Sequence, residues 1–273
     1  MKFCASLILS LILVSCNIFA QKTEQAKPLI IGEVQTIQSE ILKENRALNI
    51  YLPEGYSTDS ATTYPVIYLL DGSENEDFIH VAGLIQFLTM IEAMPKSILV
   101  GTANVDRRRD FTFPTSIEQD LKDFPTTGKS ENFIQFIEEE LQPFIQKKYK
   151  TSNSKTIIGQ SLGGLLATEI LLKKPQLFTG YLIISPSLWW NKESLLLQAP
   201  KYLQKPLPKG TEVYLSTGTE GKQMENDAKD LLALLRQQNN IRVEYLPLPA
   251  ENHLTILHNA LYKGFMFLYP KMK

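Results

Sequence analysis

Three residues in this chain of 273 have the types and the order that suit acyl-transfer chemistry: Ser161, Glu220 and His253. Ser161 lies at the centre of Gly159-Gln160-Ser161-Leu162-Gly163, a Gly-x-Ser-x-Gly pentapeptide. A β-rich run from Thr156 leads into it and a helix-forming run through Leu172 leads out. Strand, sharp turn and helix together are the setting in which such a serine is lifted above a sheet edge as a nucleophile. The reversal presses backbone against backbone, so a Cβ is expected to clash at Gly159 and at Gly163, and Ser161 is expected in a strained conformation. The turn also puts the Leu162 amide at a helix N-terminus, where it can donate to a developing oxyanion.

A serine hydroxyl is a poor nucleophile at neutral pH until an imidazole takes its proton. A carboxylate on the other ring nitrogen fixes the tautomer and stabilises the imidazolium. Of the three histidines, His80 and His258 fall in helical stretches, whereas His253 follows a strand-like run in a loop and is the expected base. Glu220, just beyond the strand-like Glu212 to Ser216, is the expected acid. Glu225 and Asp227 lie close enough to replace it, and a Ser-His pair without an acid stays open. The second oxyanion donor is expected from the amide of Gly72 or Ser73, in the turn after the first buried strand. His80, on the helix leaving that turn, is a candidate pocket-lining residue.

The elements that must position these groups are legible as a rhythm. Gly32 to Leu42 and Arg46 to Leu52 alternate about a turn and read as an antiparallel hairpin. Tyr64 to Leu70 and Ser97 to Val105 are apolar runs typical of strands buried on both faces. Ser130 to Tyr149 reads as one amphipathic helix with Ser130 as its N-cap. From residue 155 strands and helices alternate to the closing helix from about 254. The predicted architecture is α/β: a mostly parallel twisted sheet with an N-terminal antiparallel hairpin and helices on both faces. Ligands of such sheets bind beyond the carboxyl ends of the strands. The longest irregular stretch, Asp106 to Lys129, is a candidate binding loop.

With 44% hydrophobic residues and a net charge of −1, the composition is that of an ordinary globular protein and carries no nucleic-acid footprint. Residues 1–20 read as a signal peptide, with Lys2 before an apolar run from Ala5 to Val14, and 21–28 as a polar linker to the domain at 29–273. Cleavage after Ala20 competes with a lipobox-like Leu13-Val14-Ser15-Cys16, which would leave Cys16 as a lipid anchor. The expected localisation is export, to the periplasm or beyond. Both cysteines, Cys4 and Cys16, fall in this segment, so no disulfide is expected in the mature domain. No feature points to an obligate protein partner.

Leu69-Leu70-Asp71-Gly72, Asn104 through Thr112 with its Arg107-Arg108-Arg109, Gly159 through Gly164, Ser185-Pro186-Ser187-Leu188-Trp189-Trp190 and Glu251-Asn252-His253 occur here in an order that resembles an esterase family of α/β hydrolases. Enterochelin (trilactone siderophore) esterases, feruloyl and acetyl-xylan esterases, S-formylglutathione hydrolases and mycolyltransferases belong to it. The siderophore-esterase-like branch resembles this chain most. The resemblance implies an α/β-hydrolase fold and a serine carboxylic-ester hydrolase acting on a small-molecule ester, without metal or organic cofactor. It implies Ser161 as nucleophile, His253 as base, Glu220 as acid, and the amides after Asp71 and Ser161 as oxyanion donors. Arg107, Arg109, Trp189 and Trp190 would form one side of the acyl pocket, although an Arg–Asp network with Asp106 and Asp110, and tryptophans packed in the core, are equally available readings. Leu254 stands where many relatives have Gly, and Glu220 where many have Asp.

Overall fold

Strand β5, Thr151–Gln160, is the centre of the molecule, because it pairs on both edges and its last residue precedes the candidate nucleophile. The computed structural model describes residues 26–270, and the fold is that of the unit beginning at Ile31. The signal segment and both cysteines lie outside the described residues, as does most of the 21–28 linker.

Eight strands among the described residues form one sheet in the order β1-β2-β4-β3-β5-β6-β7-β8. Besides β5 they are β1 (Glu33–Ser39), β2 (Glu44–Tyr51), β3 (Tyr64–Leu69), β4 (Ile98–Thr102), β6 (Gly180–Ile184), β7 (Glu212–Ser216) and β8 (Arg242–Tyr245). β2 runs antiparallel to β1 and β4, and all other pairs are parallel. The apolar runs are continuous because successive residues face different cores. Val66 and Tyr68 of β3 join the larger core, under α4 (Ser130–Phe136), α5 (Gln142–Lys148), α6 (Leu162–Lys173) and α7 (Trp190–Tyr202). Ile67 and Leu69 join the other, under α1 (Phe78–Met90) and α9 (Ile256–Leu268). Helix α8, Lys222–Leu235, packs on the larger core through Leu231 and Leu235.

Three expectations are corrected here. The 106–129 stretch is not irregular throughout: it holds two short helices, α2 (Arg107–Phe111), whose N-cap Asp106 accepts from the Arg109 amide at 3.0 Å, and α3 (Glu118–Asp123), with irregular chain between and after them. The helix expected over 130–149 widens into a π-turn at Ile137–Leu141. Pro143 accounts for this, since it cannot donate to the preceding turn and its ring would strike the carbonyl four residues back. Ser130 is the first helical residue and Lys129 the cap; the Ser130 hydroxyl is buried without a partner.

A buried ionic cluster joins the hairpin to α2. Arg46 on β2 pairs with Asp110, both almost fully buried, and Arg109 bonds both Asp110 and Glu44. Removing one partner of such a cluster strands the others and costs about 3–5 kcal/mol.

Candidate active site

The turn between β5 and α6 is as strained as the pentapeptide requires. Ser161 has φ 59° and ψ −120°, a region that L-residues rarely adopt. Its amide donates to Ile184 O of β6 at 3.1 Å and its carbonyl accepts from Leu165 N at 2.9 Å, so both sides hold the conformation. The two glycines are unequal. A Cβ at Gly159 would lie 2.2 Å from the Gly163 carbonyl oxygen, whereas one at Gly163 would meet Asp71 Oδ2 at 3.4 Å, an ordinary contact. Only the first position needs glycine for space.

His253 Nδ1 lies 2.7 Å from Glu220 Oε2. Glu220 hangs from the loop after β7 and His253 from the loop after β8, so neighbouring parallel strands deliver the pair. The other oxygen of Glu220 accepts from the Gly218 amide at 2.8 Å and from the Ser185 hydroxyl. Burial raises the Glu220 pKa, but the bonds from His253, Ser185 and Gly218 outweigh it and leave the carboxyl below its usual range. The carboxylate therefore stays ionised, requires a proton on Nδ1, and leaves Nε2 to accept one. Of the alternatives, Glu225 accepts from the Glu220 amide at 3.3 Å, and Asp227 faces Glu193 and Asp230. Neither is bonded to the imidazole.

The oxyanion candidates separate likewise. The Gly72 amide donates to Thr102 O at 3.0 Å and is spent within the sheet, so it cannot serve. The Ser73 amide meets only the Glu76 carboxylate, at 3.3 Å, on the surface. Among the described residues the Leu162 amide has no acceptor.

Of the expected substrate contacts, two are occupied by the fold. Arg109 is bound to Glu44 and Asp110, and Trp190 is fully buried with its indole N–H on Phe113 O at 2.9 Å. Arg107 is half-buried; it grips Asp71 through two bonds of 2.6 and 2.8 Å and reaches Gln160 O at 3.2 Å. Trp189 is partly exposed beside Phe124, with ring centres 6.2 Å apart. His80 pairs with Asp77 at 3.4 Å and lies against His258, with ring centres 5.7 Å apart.

Three site neighbours escaped the sequence reading. Ser185 bonds Glu220, Ser187 Oγ lies 3.3 Å from Ser161 Oγ, and Gln160 Nε2 donates to the His253 carbonyl at 2.5 Å. The two serines follow β6, so the rule that chemistry gathers beyond strand ends was the signal available for them.

The family described as "Putative esterase" matches residues 39–256, which holds the whole cluster. The chain belongs to that esterase family. Ferri-bacillibactin esterase BesA of Bacillus subtilis is 32% identical over 251 residues, covering 83% of this chain and 86% of that protein. Among solved structures, an IroE-like serine hydrolase from Shewanella oneidensis superposes with TM-score 0.80 at 29% identity, covering 88% of this chain and 80% of that one. The BES protein from Bacillus cereus gives 0.79 at 29% identity, covering 90% and 98%. The fold is the α/β-hydrolase fold and the protein is a carboxylic ester hydrolase. In this esterase the Ser161 turn, the Glu220–His253 pair and the Ser73 and Leu162 amides all gather at the carboxyl edge of the parallel strands.

Proposed function

We propose that the chain is an exported serine esterase that cleaves the ester bonds of an iron-chelating siderophore. The observation that carries the mechanism is the Glu220–His253 bond of 2.7 Å, tied by the Gln160 side chain on the His253 carbonyl to the strained turn that holds Ser161. In this reading Ser161 Oγ bonds to the acyl carbon while His253 Nε2 takes its proton and then gives it to the leaving alkoxide. Water, deprotonated by the same nitrogen, next opens the acyl-enzyme and releases the acid. The Leu162 and Ser73 amides stabilise the oxyanion once Glu76 yields its place, a contribution worth about 3–4 kcal/mol per donor in serine hydrolases.

Likeness to a ferri-bacillibactin esterase over most of both chains supports the substrate class. Arg107 and Trp189 still have surface to offer such a ligand, one cationic and one aromatic. Export rests on the apolar N-terminal run, with Cys16 as the lipid-anchored alternative; fatty-acid labelling of the intact cell separates the two.

The test is hydrolysis of a panel by the mature protein beside Ser161→Ala: short and medium p-nitrophenyl esters, a feruloyl ester and a catecholate trilactone. Turnover should be fastest on the trilactone and lost in the variant. Preference for the feruloyl ester would move the enzyme to carbohydrate-linked esters. Equal activity of variant and parent would remove Ser161 from the mechanism.

A further inference from the structure

A groove of about 410 Å3 lies between α7 and α8. It is lined by Leu196, Leu197 and Leu234 and by three carboxylates, Glu193, Asp227 and Asp230. Asp227 is only 5% exposed, and its Oδ2 is buried without a hydrogen-bond partner. Among the described residues no lysine, arginine or histidine is ion-paired with any of the three. The one polar contact is Gln223 Nε2 on Glu193 Oε1, at 3.0 Å. Burial, then Glu193, then Asp230 push the Asp227 carboxyl up to about 6.

The groove is also maintained at a cost. Glu193 ends a segment, Asn191 to Glu193, in which all three residues are left-handed, with φ of 50°, 52° and 59°. None is glycine, and each such residue stores on the order of 1 kcal/mol or more. Asn191 is held there by Asp120 Oδ2, 3.1 Å from its amide, and by Thr115 Oγ1, which donates to its side-chain oxygen at 3.0 Å.

Asp227, buried without a donor and flanked by the more exposed Glu193 and Asp230, asks for a positive charge. The described residues contain no group of three ligands arranged to hold a metal ion, and five of the eight residues lining the groove are hydrocarbon. A cation with an apolar body satisfies both sides. We propose that the groove binds a primary alkylammonium, its charge among Glu193, Asp227 and Asp230 and its chain along Leu196, Leu197 and Leu234. This site is separate from the esterase chemistry and does not depend on it.

The probe is hexylammonium chloride, titrated calorimetrically into the intact protein at about pH 7.5, where Asp227 is ionised, with 1-hexanol as the uncharged control. Saturable binding with one site is expected, and at least about tenfold weaker binding of hexanol. Ser161→Ala should bind like the parent, and Asp227→Asn about tenfold or more weakly. Leu197 is 75% exposed, so Leu197→Lys should fold normally; its tethered ammonium should fill the groove and abolish binding. Thermal melts establish that both groove variants are folded. The proposal is overturned by an absence of saturable heat, by equal affinity for hexanol, by binding lost in Ser161→Ala, or by folded Asp227→Asn and Leu197→Lys proteins that bind like the parent.

Discussion

Glu220 and Asp227 lie seven positions apart, on either side of the start of α8, and both are buried. Glu220 receives bonds from His253, Ser185 and the Gly218 amide, whereas Asp227 Oδ2 receives none. Burial pushes both carboxyls upward; donors reverse the effect for Glu220 and leave its pKa lowered, while Asp227 rises to about 6. Depth alone therefore does not define a buried carboxylate. Its donors decide whether it stands ready as an anion or stores unrelieved cost, and only the first condition can orient an imidazole through a catalytic cycle.

The comparison is broken most directly at Glu220. Glu220→Gln keeps the shape but can no longer demand a proton on Nδ1, and kcat should fall about 10³–10⁴-fold with an unchanged circular-dichroism spectrum. A fall under tenfold would mean that His253 needs no acid.

Asp227→Asn should do the reverse, sparing kcat and raising stability. The folded pKa of Asp227 is raised, so its carboxylate costs stability fully above about 6, and the cost vanishes as pH falls below the ordinary value of 3.8. The variant should gain on the order of 1 kcal/mol in urea unfolding near neutral pH, since water screens the repulsion from Glu193 and Asp230, and almost nothing near pH 3.5. An equal gain at both pH values would detach the effect from this charge.

The milder change at Glu220 is Ser185→Ala, which takes one donor from it. A hydrogen bond to a charged group is worth about 1.5–3 kcal/mol, so kcat should drop about ten- to a hundredfold. Because the folded pKa of Glu220 is lowered, the stability it contributes is present above 4.5 and is lost as pH falls through the folded value. The variant should thus unfold more easily than the parent at neutral pH and no more easily in strong acid. A rate unchanged from the parent would show that two donors suffice.

What was legible in the sequence is what local pattern encodes. Alternation and apolar runs mark the strands, the pentapeptide marks the elbow, and strand ends mark the loops that bring Glu220 to His253. What was not legible depends on partners distant in the chain. Gly72 looks like an open turn amide until β4 brings Thr102 O against it, and Arg109 looks free until the hairpin delivers Glu44. Trp190 reads as a ligand platform or as core with equal force, and only the position of Phe113 decides. The preference for Glu220 over Asp227 likewise lies in donors from Ser185 and Gly218, which no spacing along α8 contains.

The stretch after α2 is fastened at its base. Lys129 N donates to Arg109 O and Ser130 N to Thr112 O, both at 3.0 Å, and Gly128 N reaches Thr112 Oγ1 at 3.1 Å. Residues 113–128 thus form a cassette whose two ends meet on a platform anchored by the Arg46–Asp110 pair. Splicing in a segment of another length leaves that platform intact, provided that the contacts of Phe113, Thr115, Asp120 and Phe124 with residues 189–191 are replaced. Each doubling of the insert adds only about 0.6 kcal/mol of closure entropy. The rim beside Trp189 can then be rebuilt for new esters while the elbow beneath keeps its chemistry.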